Sequence, residues 1–305
     1  VLKLFTRSPW AELALIYCAA VWGSTFFIVK DSLANIDPYA LVAYRFLGAA
    51  ALMAIPLLLR GVPLFANWQR GTLLGLVLGL LYIFQTVGLG HTTASNSGFI
   101  TGLFIVFVPL CNLICFRTLS PWPRLVAVAI ALCGLWLLTG GIAGANYGDM
   151  LTLVAAVTYA VHVLYADRYT NSGMNIYVLN FQQLFVTGLV ALIGGLLFGN
   201  GFAINTQTTI GWVLFLTLIP TLSAFMLQLT AQQGVPPLTT ALIFCLEPVF
   251  AAIFAWSLGG EEMVPLRALG GLLIVLAMII SELPIERWLL RHPPHGGSGS
   301  GCEPS

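Results

Sequence analysis

The chain of 305 residues is 59% hydrophobic and 8% charged, with a net charge of +1 and a mean hydropathy of +0.94. A soluble domain carries about 25% charged residues to keep its surface solvated, so this composition excludes a water-soluble globule and requires a surface facing lipid. Lys3 and Lys30 are the only lysines, and neither lies in a G-x-x-x-x-G-K-[ST] context or a basic run, so a P-loop ATPase and a nucleic-acid partner are excluded too.

A membrane-spanning helix needs roughly 20 largely apolar residues. Apolar runs between Pro, Gly and charged breaks predict ten of them, over 11–30, 38–58, 70–90, 96–116, 123–140, 148–168, 176–198, 211–231, 237–257 and 264–282. Lys3 and Arg7 precede the first run as in a signal peptide, but the run is too long for an h-region and reads as a retained helix. It carries Trp22 and Thr25. Helix two carries Arg45, whose long side chain is expected to snorkel or brace the fold. Helix three places Gly71, Gly75 and Gly79 on one face, a packing device for close backbone approach, and adds Tyr82 and Gln85. Helix four opens with Asn96 and continues to Thr101. In helix six, Thr152, Ala155, Tyr159, His162 and Tyr165 form a stripe that should face protein or a wet cavity, not lipid.

Helix eight supplies Thr217, Thr221, Gln228 and Gln232, and helix nine holds Glu247 near its middle. Ionisable side chains at that depth are expensive, and they are functional or paired. Pro248 follows Glu247 and leaves the Phe244 carbonyl without its usual donor, which favours a kink. Each polar residue has a plain alternative role, an interhelical hydrogen bond worth roughly 0.6 to 2 kcal/mol. Convergence from several helices points instead to a pocket in which Trp22, Thr25, Tyr82, Gln85, Asn96, Thr101, Tyr159, His162, Gln228 and Glu247 bind a small solute. The cysteines form no C-x-x-C, and those in apolar segments read as small buried hydrophobes. No catalytic residue, metal site or cofactor is expected.

Alternate connections separate the cations. Lys3, Arg7, Arg60, Arg70, Arg117, Arg124, Arg168, Arg287 and Arg291 fall on one side, with only Lys30 and Arg267 on the other. The positive-inside rule then puts both termini in the cytoplasm of a cell bounded by an inner membrane, as in bacteria. Tyr44-Arg45-Phe46-Leu47 matches Phe181-Gln182-Gln183-Leu184, so the chain reads as a five-helix repeat over 1–140, a second over 141–285 and a flexible cytoplasmic tail over 286–305. An odd number of helices per copy inverts the second copy. The expected fold is therefore an all-α integral membrane protein, ten transmembrane helices in two inverted five-helix repeats around a central cavity.

Four stretches resemble the drug/metabolite transporter superfamily, in particular its ten-helix EamA-type branch. They are Val21-Trp22-Gly23-Ser24-Thr25-Phe26-Phe27, Tyr44-Arg45-Phe46-Leu47, the run from Thr92-Thr93-Ala94-Ser95-Asn96 to Gly98-Phe99-Ile100-Thr101-Gly102-Leu103, and Leu246-Glu247-Pro248-Val249-Phe250-Ala251. The resemblance implies a cavity lined by helices one, three, four, six, eight and nine, with helices five and ten peripheral. It also implies export of amino acids or related metabolites. The four-helix multidrug relatives carry a proton-exchanging glutamate eight residues before a lysine in helix one; here that position is Trp22, so their coupling does not carry over. The expected function is a secondary transporter or facilitator working by alternating access, as a monomer or homodimer among membrane lipids. Its alternatives are a channel-like protein, for which no filter or charged ring is visible, and an intramembrane enzyme. The enzyme lacks its machinery: the aspartates sit at helix ends, and neither His91 nor His162 has an H-E-x-x-H partner.

Overall fold

The computed structural model describes residues 9–140, 146–257 and 263–282. In hydrocarbon every backbone polar group must be satisfied within the segment, so apolar runs of this length become helices. The described spans are α1 (Pro9–Ser32), α2 (Pro38–Leu59), α3 (Trp68–His91), α4 (Ala94–Gly102 continuing as Phe104–Phe116) and α5 (Trp122–Thr139), followed by α6 (Tyr147–Thr170) and α7 (Ile176–Phe198). Next come α8 (Gln207–Leu216, Thr217–Ser223 and Ala224–Ala231), α9 (Pro237–Phe244 and Glu247–Ser257) and α10 (Pro265–Glu282). Nine are long and apolar enough to cross a membrane, and Pro265–Ile280 is a shorter apolar tenth. The ten expected spans are present.

Span starts follow local chemistry. Asp37 accepts from the N–H groups of Tyr39 and Ala40 at 2.8 and 3.4 Å, with Pro38 in the first turn. Asn146 and Asp149 form a capping box at the head of α6, and Thr93, Asn175 and Thr206 cap α4, α7 and α8. Arg60, Arg70, Arg117, Arg124 and Arg168 lie at one face of the bundle, Lys30 and Arg267 at the other, as the alternation requires. Lys3, Arg7, Arg287, Arg291 and the tail lie outside the described residues.

The neighbours obey a pseudo-twofold relation. Helix α1 packs on α8 and α9 while α6 packs on α3 and α4; α2 packs on α7, and α5 packs on α10. Exchanging α1–α5 with α6–α10 returns the same pairs. Glycines set the closest crossings. A Cβ at Gly75 would lie 2.8 Å from the Gln183 carbonyl oxygen of α7, so the glycine face of α3 is indeed a packing surface. A Cβ at Gly134 of α5 would lie 2.7 Å from the Gly270 carbonyl oxygen of α10.

Two spans are interrupted at matching places: α9, where Pro248 favours a kink, and α4, which reads as continuous in the sequence. In α4 the Leu103 N–H turns to the Ile100 carbonyl at 3.1 Å, and in α9 the Leu246 N–H turns to the Ile243 carbonyl at 3.0 Å. Both are tightened i to i−3 turns just before the second half of the span. In α9 the break also precedes Pro248, which cannot donate. Helix α8 departs differently, with a π-helical stretch over Thr217–Ser223 around Pro220. Proline removes the donor that would serve the Leu216 carbonyl, and the Thr221 hydroxyl supplies one at 2.7 Å.

Candidate functional site

A small cavity lies at mid-span where α1, α3, α6, α8 and α9 converge. Trp22 and Thr25, Tyr82 and Gln85, Tyr159 and Glu247 line it, joined by Leu78, Leu81 and Phe225. Its volume of about 20 Å³ is room for a single water-sized group. Any solute must therefore part the walls or enter in a different conformation. Six of the ten residues expected from sequence meet here.

The aromatic walls are locked together. Trp22 donates its indole N–H to the Pro220 carbonyl at 2.7 Å, within the π-helical stretch of α8. Its ring lies 5.0 Å from Phe244, 5.3 Å from Phe225 and 6.5 Å from Tyr159, centroid to centroid. Tyr159 stacks on Phe104 at 4.4 Å, next to the break in α4. Edge-to-face and stacked pairs of this kind fix ring orientation and add about 0.5–1.5 kcal/mol each. The polar walls are less committed. Gln85 donates to the Thr101 hydroxyl at 3.1 Å. Among the described residues no hydrogen bond reaches the Glu247 carboxylate, although it is only 7% exposed.

The other four expected residues sit elsewhere, so α4 does not line the cavity as expected. Thr101 stands behind Gln85 as its acceptor. Asn96 is buried at the head of α4, where its backbone N–H caps on Thr93. His162 and Gln228 lie beyond Phe225, whose ring is 5.3 Å from Trp22 on one side and 6.1 Å from His162 on the other. His162 Nε2 pairs with Gln183 Oε1 at 3.0 Å, and Gln228 donates to Gln232 at 3.2 Å. Of the expected polar stripe on α8, Thr217 and Gln232 bond to the Val213 and Val163 carbonyls. Phe225 therefore floors the cavity and separates it from a second buried polar cluster. Nothing in an apolar run marks such a phenylalanine from sequence.

Of the two roles expected for Arg45, the structure shows the bracing one. The side chain does not snorkel: it is 3% exposed, donates through Nε to the Thr221 hydroxyl, and lays its guanidinium 4.8 Å from the centroid of the Tyr82 ring. It attracts Glu247 electrostatically, yet no ion pair forms between them. A bare cation in mid-span was a signal in its own right.

A larger cavity of about 680 Å³ lies nearer the Lys30 face, among α1, α4, α5, α8, α9 and α10, with Phe27, Trp212 and Phe254 in its walls. It has the greater volume, but its walls are mainly apolar and few polar groups converge there. Among the described residues no group of three His, Cys, Asp or Glu side chains could hold a metal ion, and Cys18, Cys111, Cys115, Cys133 and Cys245 are free.

The EamA-like transporter family model matches this chain twice, over residues 9–140 and again over 146–282. The chain belongs to the EamA-like transporter family. An uncharacterized transporter of Archaeoglobus fulgidus is 33% identical over 278 residues, covering 90% of this chain and 87% of the relative. The inner membrane transporter YedA of Escherichia coli K12, itself uncharacterized, is 27% identical over 291 residues, covering 88% and 90%. A solved crystal structure superposes with a TM-score of 0.75 at 18% identity, covering 91% of this chain and 98% of that one, which shows a shared fold. This EamA-like chain is thus a multi-pass membrane transporter of the drug/metabolite superfamily.

Proposed function

We propose that the chain is a secondary transporter or facilitator that exports amino acids or related small metabolites by alternating access, with the mid-span cavity as its solute site. The observation that carries this reading is the convergence of five helices from both halves on an aromatic box holding an unbonded carboxylate, Glu247. A carboxylate kept dry without a hydrogen bond costs free energy, and a cationic group on a solute would repay it. The pseudo-twofold packing supports two related ways of opening the bundle, one toward each face, with the interruptions in α4 and α9 as natural points of flexure. In this reading the chain sits in a bacterial inner membrane with Arg60 and its companions on the cytoplasmic side. It uses no cofactor and catalyses no bond change.

The test is counterflow in proteoliposomes containing purified protein and no ATP. Preloaded amino acids should drive uptake of the labelled pool, saturating with concentration. Flux linear in concentration would favour a channel, and no flux with any amino acid would refute the reading.

A further inference from the structure

Two buried ionisable side chains that can carry opposite charge, Glu247 and Arg45, lie at the mid-span site, and only one of them touches the cavity. Glu247 lines it directly; Arg45 stands behind Tyr82, which does. Arg45 Nη2 lies 3.5 Å from the Tyr82 hydroxyl oxygen, and the guanidinium sits over the tyrosine ring. The hydroxyl oxygen thus receives from Arg45, while among the described residues no acceptor takes its proton. A cation over the ring draws electron density from the phenol and strengthens its O–H as a donor. The second nitrogen side of Arg45 is anchored by Thr221 on the π-helical stretch of α8, which fixes the guanidinium against the ring.

We propose that Arg45 is the positioning residue of an anion-binding pole presented by the Tyr82 hydroxyl in the cavity that Glu247 also lines, so that the cavity selects zwitterions over amines. The inference rests on the reading of this cavity as the solute site. A zwitterion's carboxylate supplies the counter-charge that Arg45 lacks, and its ammonium supplies the one that Glu247 lacks. A plain amine answers Glu247 alone and leaves the guanidinium uncompensated in a low-dielectric interior. Trp22, Tyr159 and Phe225 then enclose the side chain.

Thermal stabilisation of the detergent-purified full chain tests this, because a ligand raises stability by mass action whatever its direction of travel. Three matched pools serve as probes: the protein amino acids, their carboxamides and their des-amino acids. The unaltered protein should be stabilised by amino acids at concentrations about ten- to a hundredfold lower than by carboxamides, as a charge-assisted hydrogen bond implies. Tyr82→Phe keeps the ring under Arg45 and should bring amino acids and carboxamides level. Arg45→Gln should do the same with the hydroxyl intact. Glu247→Gln should instead erase the preference for amino acids over des-amino acids. If Tyr82→Phe retains the original preference, or the unaltered protein responds equally to amino acids and carboxamides, the anion pole is overturned while the site survives. If no pool stabilises the unaltered protein, the proposed function itself falls.

Discussion

Gly75→Ala tests how the packing of α3 on α7 sets the site. The new Cβ would lie 2.7 Å from Val186 Cβ, 2.8 Å from the Gln183 carbonyl oxygen and 3.1 Å from Gln183 Cα. Ordinary contacts begin near 3.4 Å, and none of these three atoms can leave by a rotamer change. The helices must therefore separate by about 0.5 to 1 Å, in the range where overpacking costs roughly 1–3 kcal/mol. The Thr187 hydroxyl donates to the Gly75 carbonyl at 3.0 Å, and that bond would stretch past its limit, adding about 0.6 kcal/mol or more. Helix α3 also carries Leu78, Leu81, Tyr82 and Gln85, so the displaced helix moves a wall of the cavity. Melting of detergent-purified protein should fall by about 3–14 °C, because a loss of about 1.6–3.6 kcal/mol acts at roughly 2–4 °C per kcal/mol. Gly90→Ala, which meets nothing within 4 Å, is the control and should melt as the parent does. Equal melting of the two variants would refute the close-packing argument.

Lys30→Met removes two bonds, to the Leu89 and Thr92 carbonyls at 2.6 and 2.8 Å, which tie α1 to the end of α3. The loss should destabilise by about 2–4 kcal/mol, read as a lower melting temperature, because hydrogen bonds from a charged group contribute about 1.5–3 kcal/mol each and act here on one side chain. Phe225→Ala removes the floor between the cavity and His162 and should cost about 3–5 kcal/mol as a cavity-forming change. It should also raise passive leak of small solutes from loaded liposomes, and an unchanged leak would argue against Phe225 as a barrier.

Much of the fold could be read from residue order alone, because hydrocarbon allows so few solutions. Ten apolar runs, the split of arginines between faces and the glycines of α3 each have one physical reading, and the described residues follow it: nine spans and a shorter tenth helix, five arginines at one face, and close crossings at the α3 glycines. The interruptions were harder to see. Pro248 announced the one in α9, but α4 breaks at Leu103 with no proline beside it, and only the matching turn in α9 makes sense of it. Polar residues were legible as inward-facing, not as neighbours. Periodicity placed His162 on the same stripe as Tyr159, yet it cannot tell that one helical turn and the Phe225 ring divide them. Arg45 sits on α2, outside the helices that the resemblance assigns to the cavity; packing against α3 and α8 brings its guanidinium behind Tyr82 instead.

The most direct measurement compares counterflow by Glu247→Gln with that of the parent protein at matched melting temperature and reconstitution. Exchange of the carboxylate for an amide preserves shape and removes the charge that an ammonium would meet, so counterflow of the amino-acid pool should fall by about tenfold or more. Undiminished counterflow would mean that the solute crosses this bundle without using the mid-span cavity.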